Sequence, residues 1–401
     1  MVCSTWSDLI GVDAFLWSHI DVSLSWRGVW TLADWERHLR YQFAAHKRHS
    51  RGVELHLQCE ENDLPWVQPY LRDMALRWAS IRLEGASWCR PYLTEHRYCD
   101  AAPPLSFPTL REMTFRARSI DEGSNLDILK CGPAVRRLAI WLERWQTTPV
   151  VALRLPLPVS PGLTSLLLDV FGGARLDTSG VCVALQQCSA TLETLDISTD
   201  TTLNPSKPIA LPRLLRLYVH DKACSLLQVL RTERLMTLCI EEKSEADNSL
   251  TLLRGALVDG RIAGSTLRQL QLTDAYHHDR PTSMELVVGI LDAASYIDAL
   301  ALVYTECQTY TATCREVLTV LYDTSDGLRL PHLRRLTLVV GRSADDITTV
   351  SCLGQFLYKR DGADLHLITD IDYFIGQHMC TYTFLEDEDI DGYLLGSYER
   401  W

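Results

Sequence analysis

Residues 212–240 read PRLLRLYVHDKACSLLQVLRTERLMTLCI, and the pattern Leu214-Leu-Arg-Leu217-Tyr-Val219 returns 21 residues later as Leu235-Met-Thr-Leu238-Cys-Ile240. Aliphatics at the first, fourth and sixth places suit a short strand entered through a tight turn. Side chains alternate between the faces of a strand, so Leu217 and Val219 share one side and Arg216 and Tyr218 the other. The first leucine closes the turn. Between the two copies, Ala223-Cys-Ser-Leu226-Leu227-Gln-Val229-Leu230 repeats its apolar residues at three- and four-residue steps, the period of a helix with one buried side. Strand, helix and strand in one recurring pattern predict a parallel sheet backed by helices.

The pattern extends in both directions. Upstream it reads Leu192-Glu-Thr-Leu195-Asp-Ile197, Leu163-Thr-Ser-Leu166-Leu-Leu168, Val135-Arg-Arg-Leu138-Ala-Ile140 and Leu110-Arg-Glu-Met113-Thr-Phe115. Downstream it reads Leu267-Arg-Gln-Leu270-Gln-Leu272, Ile297-Asp-Ala-Leu300-Ala-Leu302 and Leu333-Arg-Arg-Leu336-Thr-Leu338. Weaker copies are Val53 to Leu57, Ile81-Arg-Leu83 and Val150 to Leu155. Met284 to Leu291 and Cys314 to Leu321 add helical segments. Self-similarity at spacings from 21 (Leu214 to Leu235) to 36 (Ile297 to Leu333) predicts an α/β solenoid of degenerate repeats with loops of variable length. No repeat buries its aliphatics alone, so each packs on the next, at roughly 1.5–3 kcal/mol per buried side chain. A doubly wound α/β enzyme also alternates strands and helices and remains the competing fold.

Composition narrows the class. The chain has 401 residues, 47% hydrophobic and 22% charged, enough to build a core. Its net charge of −12 argues against a surface broadly adapted to nucleic acid. No stretch approaches a membrane span, and no basic-then-apolar leader opens the chain. Thirteen cysteines, an odd number without C-x-x-C pairs, suggest reduced thiols and a cytoplasmic or nuclear protein. Ten of the eleven tryptophans precede residue 146, so a differently packed helical cap is expected ahead of the array.

At the N-terminus, Val2-Cys3, Trp6 and Leu16-Trp17 resemble the second half of an F-box: a Val-Cys, a Trp four residues after the Val, and a later Leu-Trp. The Pro-x-Leu lead-ins Pro108-Thr-Leu110, Pro212-Arg-Leu214 and Pro331-His-Leu333 are similar to those of fungal F-box proteins with leucine-rich repeats. The resemblance implies docking on the adaptor subunit of an SCF-type ubiquitin ligase through Val2, Trp6, Leu9, Leu16 and Trp17, with the repeats selecting a protein substrate. The Leu-Pro helix that opens the family pattern has no counterpart ahead of Met1, which reads as an N-terminally truncated F-box. The asparagine that follows the third leucine in regular repeats is also missing.

The expected organisation is an F-box remnant and linking helix over 1–50, the repeats over 51–385 and an acidic tail over 386–401. Thr31 and Asp34 start the linking helix, Leu32, Trp35 and Leu39 share one face, and His46-Lys47-Arg48-His49 closes it. No phosphate-binding, dinucleotide, zinc-protease or nucleophile-elbow motif occurs. Asp387-Glu-Asp389-Ile-Asp391-Gly392 matches half a calcium loop, but the twelfth place is Tyr398 where a bidentate acid belongs, so a solvated tail is expected. His277-His278-Asp279 is read as a polar loop and Ser198 to Pro212 as a connection between repeats. Neither cofactor nor metal is expected. A protein partner is expected on the polar face of the sheet, at the third and fifth places Arg137, Arg216, Tyr218, Gln269, Gln271, Arg335 and Thr337. A repeat scaffold without a ligase role and an α/β enzyme are the alternatives.

Overall fold

The computed structural model describes residues 19–23, 37, 40, 53–58, 76–85, 107–117, 132–143, 152–153, 162–171, 175–176, 178–203, 207–242, 248–273, 282–303, 317–321, 329–339 and 364–368. The chain is α/β with a mostly parallel sheet and few helices, in two compact units. Among the described residues no helix is long and apolar enough to cross a membrane.

The first unit runs to Leu192 and adds Thr199–Thr201. Its strands are β1 (His19–Ser23), β2 (Val53–Gln58), β3 (Trp78–Gly85), β4 (Glu112–Ala117), β5 (Arg137–Glu143), β6 (Ala152–Leu153), β7 (Ser165–Phe171) and β8 (Arg175–Leu176), followed by α1 (Thr178–Gln187). Strands β1 to β5 and then β7 pair in parallel, each with the next. The recurring pattern sets their register: Ile81, Met113, Leu138 and Leu166 align across the sheet, as do Phe115, Ile140 and Leu168. All seven are buried. The Val150 to Leu155 copy behaves differently. Among the described residues its β6 pairs with β8, outside the main sheet, and the next full copy at Leu163 supplies the partner for β5.

The second unit comprises Glu193–Ser198 and Thr202–Trp401. It contains most of β9 (Thr194–Thr199), then β10 (Ile209–Ala210), β11 (Arg216–Asp221), a 3-10 helix (Lys222–Gln228), β12 (Leu230–Arg231), β13 (Thr237–Glu241), α2 (Ser249–Val258), β14 (Gln269–Thr273), α3 (Thr282–Ala293), β15 (Ala299–Val303), β16 (Arg335–Val339) and β17 (Asp364–Ile368). Strands β11, β13, β14, β15, β16 and β17 pair successively in parallel without a register shift. Leu217, Leu238, Leu270, Leu300 and Leu336 therefore form one row, and Val219, Ile240, Leu272 and Leu302 a second, at most 2% exposed throughout. Helix α2 buries Leu250, Leu253, Ala256 and Leu257 and packs on α3 and the 3-10 helix, which in turn packs on β11. Val287, Ile290 and Leu291 form the buried stripe of α3, and Ala294 is buried just past its end. At Gly264 a Cβ would stand 2.1 Å from the Ala293 carbonyl oxygen, so only glycine lets this turn meet the end of α3.

Local chemistry explains why each strand starts where it does. Leu110, Val135, Leu214 and Leu333 donate their N–H to Phe107, Gly132, Leu211 and Leu330 at 3.0–3.2 Å, closing four-residue turns. Pro108, Pro133, Pro212 and Pro331 take the second place of these turns, where a fixed φ is already correct. This accounts for the Pro-x-Leu lead-ins. Threonines then tie one repeat to its predecessor: Thr191 donates to the Leu163 carbonyl at 2.7 Å and Thr266 to that of Leu235 at 3.0 Å. Thr109 reaches the carbonyls of Leu76 and Trp78, and Thr164 that of Arg136.

Several expectations need correction or completion. Ser198 to Pro212 is more than a connection, since Ile209 and Leu211 donate to Val229 and Arg231 and form the β10–β12 ladder. The expected helix over Ala223 to Leu230 is a 3-10 helix, and Leu230 has already joined β12. Met284 to Leu291 lies within α3, and 317–321 is helical as expected from Cys314 to Leu321. Helices α1 and α2 and strands β1 and β17 were not anticipated. Of the linking helix only Arg37 and Arg40 are described, and both are helical.

Cutting Leu238 to Ala in the middle of the aliphatic row is expected to lower unfolding free energy by about 2–5 kcal/mol in urea titrations. Met236→Ala, on a side chain 48% exposed one residue before β13, should cost less than about 0.5 kcal/mol. Equal losses at the two positions would contradict the burial of Leu238 in the aliphatic row.

Candidate functional site

The opposite face of the second unit's sheet carries the polar side chains. Its register brings Arg216, Thr237, Gln269, Ala299 and Arg335 into one row and Tyr218, Cys239, Gln271, Ala301 and Thr337 into the next. Beyond them lie His220, Glu241 and Thr273. Thr237 donates its hydroxyl to Gln269 Oε1 at 3.1 Å, and Gln271 donates Nε2–H to Thr273 Oγ1 at 3.2 Å.

His220 is the centre of charge on this face. Its Nε2 lies 3.2 Å from Asp196 Oδ1 and its Nδ1 2.9 Å from Glu241 Oε2, with all three side chains mostly buried. Burial alone would favour the neutral ring. The hydrogen bonds and negative charges of Asp196 and Glu241 outweigh it and raise the pKa from 6.5 to about 10. At neutral pH the ring is therefore an imidazolium donating from both nitrogens, a clamp across β9, β11 and β13. It has no lone pair left to act as a general base. The carboxylates sit on opposite nitrogens of the ring, so the three groups do not converge on one point as ligands of a single ion would.

Neighbouring groups are held in their neutral forms. Burial raises the Cys239 thiol well above its ordinary range, and the charges of Asp196 and Glu241 push in the same direction. Burial likewise raises the phenol of Tyr218, against a downward pull from Arg216. Away from this face, burial takes Cys188 up to about 11. Cys182, Cys188, Cys224 and Cys239 are reduced and buried, the state in which a thiol is a poor nucleophile.

The residues expected to contact a partner divide by exposure. Arg216, Gln269 and Arg335 are exposed and Tyr218 is half-buried. Gln271 and Thr337 are buried instead of solvated, because neighbouring strands at one register crowd a middle row. Gln271 Oε1 is buried without a hydrogen-bond partner, as is Ser198 Oγ. Arg137 belongs to the first unit, where it is exposed and pairs with Glu112 at 2.9 Å. Val2, Trp6, Leu9, Leu16 and Trp17 lie outside the described residues, as do His277-His278-Asp279 and the Asp387 to Gly392 segment.

Asp196, His220 and Glu241 went unnoticed in the sequence. The signal was present: Asp196 takes the fifth place of its repeat, and His220 and Glu241 each follow the sixth, all alternating away from the aliphatic face. Opposite charges at outward places of consecutive repeats meet once the strands pair.

The His220 proton gives a pH test. The native ring keeps a proton that the unfolded chain releases near 6.5, so the stabilisation is complete below that pH and is lost as pH rises through about 10. Stability should fall across this window, and His220→Gln should flatten the fall. A resonance assigned to the His220 ring that titrates near 6.5 in the folded protein would refute the clamp.

No protein-family model matches the sequence and no curated protein matches it, so the functional assignment rests on the chemistry of these side chains.

Proposed function

We propose that this chain is a non-enzymatic protein-recognition module, a leucine-rich-repeat solenoid that presents the polar face of its second unit to a protein partner. The observation that supports this most is the unshifted pairing from β11 to β16. It repeats a buried aliphatic pair in each strand from β11 to β15 and a buried Leu336 in β16, while Arg216, Tyr218, Gln269 and Arg335 vary on the other side. A constant buried face with a variable polar face is how repeat proteins change partners without changing fold. His220, bridged to Asp196 and Glu241, stiffens that face, so a partner meets side chains already in place.

The role we assign is substrate receptor of an SCF-type ubiquitin ligase. Its support is the likeness of Val2-Cys3, Trp6 and Leu16-Trp17 to an F-box. The adaptor would hold the N-terminal segment and the repeats would hold the substrate.

Two measurements test this reading. Co-purification with the adaptor subunit, for this chain and for an upstream-extended form, is expected to succeed for at least the extended form. If neither binds, the ligase role falls and a repeat scaffold remains. The double variant Arg216→Ala/Tyr218→Ala should weaken binding of the co-purified partner at least tenfold with a small change in stability, because Arg and Tyr are favoured interface anchors. Unchanged affinity would remove the partner from this face.

A further inference from the structure

Six arginines of the second unit gather where its strands begin. Arg213 and Arg234 precede the first leucine of their repeats, Arg268 and Arg334 follow it, and Arg216 and Arg335 open β11 and β16. All but Arg268 are exposed, and among the described residues none of those five forms a side-chain ion pair or hydrogen bond. Elsewhere in the unit Arg261 meets Asp259 at 3.0 Å and Arg329 meets Asp292 at 2.7 Å, while Arg231 and Arg254 stand without a carboxylate among the described residues. The chain holds 51 acidic residues against 39 basic ones, so unanswered guanidinium groups at one edge run against its overall charge.

Arg268 links this edge into a column. It donates to the carbonyls of Ser265 and Leu267, and its guanidinium lies over the Tyr296 ring, 5.4 Å from the centroid. Tyr296 stacks in turn on His332, 5.4 Å between centroids and 8° from parallel. These residues come from three consecutive repeats, with Tyr296 between its two neighbours.

We propose that this strand-entry edge docks an extended, acidic protein segment. Four strand spacings separate β11 from β16, about 19 Å at roughly 4.8 Å each, which an extended segment of about six residues spans. Guanidinium groups bind carboxylates through paired N–H donors and stay charged in any such interface. Glu233 and Asp298 interrupt the row, which suits a partner whose acids are spaced by neutral residues better than a uniform polyphosphate. The ring faces are also engaged by Arg268 and His332, whereas single-stranded nucleic acid needs open faces for base stacking. This proposal rests on the partner-binding reading above and adds the chemistry of the partner.

The test is fluorescence anisotropy with a labelled eight-residue Glu-Ser repeat, beside a labelled eight-nucleotide single-stranded DNA, in salt of about 150 mM, where weak long-range attraction is screened. The peptide is expected to bind the full chain more tightly than the DNA does. The triple variant Arg213→Glu/Arg234→Glu/Arg334→Glu should weaken peptide binding at least tenfold. Lys222→Glu, on an exposed residue beyond the far end of β11, should leave it unchanged. If the triple variant does not fold, Arg213→Gln/Arg234→Gln/Arg334→Gln should still weaken binding several-fold. Absence of peptide binding, indifference to these substitutions, or tighter binding of the DNA would each overturn the proposal. Partner loss in Arg216→Ala/Tyr218→Ala with peptide binding insensitive to the triple variant would refute the edge and leave the face reading standing. Peptide binding lost in the triple variant, with the partner indifferent to the double variant, would do the reverse.

Discussion

At the entries of β11, β13, β14 and β15, one backbone carbonyl accepts two N–H groups from the following repeat. Leu215 receives Met236 and Thr237 at 2.8 and 3.0 Å, Met236 receives Arg268 and Gln269, Arg268 receives Asp298 and Ala299, and Asp298 receives Arg334 and Arg335. The shared acceptor belongs to the second place of the motif every time. Strand pairing could slide by a residue only by breaking this contact and turning the aliphatic row toward the polar face. Register, core and polar face therefore depend on one recurring junction, which the turn before it positions.

Because the junction is constant, loops between strands can differ in length without disturbing the sheet. The interval from Leu214 to Leu235 holds a 3-10 helix and the short β12, whereas that from Leu235 to Leu267 holds α2. Both deliver the next strand to the same register. The polar face inherits this tolerance. Its side chains answer to the neighbouring strand, as His220 answers to Asp196 and Glu241, and not to the core behind it. Charges there are partly matched across strands, whereas at the strand entries arginines remain without carboxylates. On the face, side chains stand side by side at strand spacing, within reach of an opposite charge on the next strand.

Legibility followed the strength of the local pattern. Nine copies of the six-residue motif, from Leu110 to Leu333, each fall on a strand that begins at the third place. Strand β17 carries only Asp364-Leu-His-Leu-Ile368, without the leading leucine, and was passed over. Helix α1, with Val181, Cys182, Ala184 and Leu185 buried, shows a helical period but lies in a stretch rich in small residues. The Val150 copy had the right spacing and still missed the main sheet, since a strand joins only where its neighbour leaves an edge open.

The sequence alone determined the nine strands that carry the six-residue motif, which side of each is aliphatic, and where the Pro-x-Leu turns close, because these depend on alternation, on proline's fixed φ and on residues only a few places apart. Tertiary structure decided which strands become neighbours and what their polar sides meet. The bridge from Asp196 through His220 to Glu241 and the burial of Gln271 both arise only when strands pair. So does the column of Arg268, Tyr296 and His332, whose members are 28 or more residues apart and touch only because consecutive repeats stack at one strand spacing.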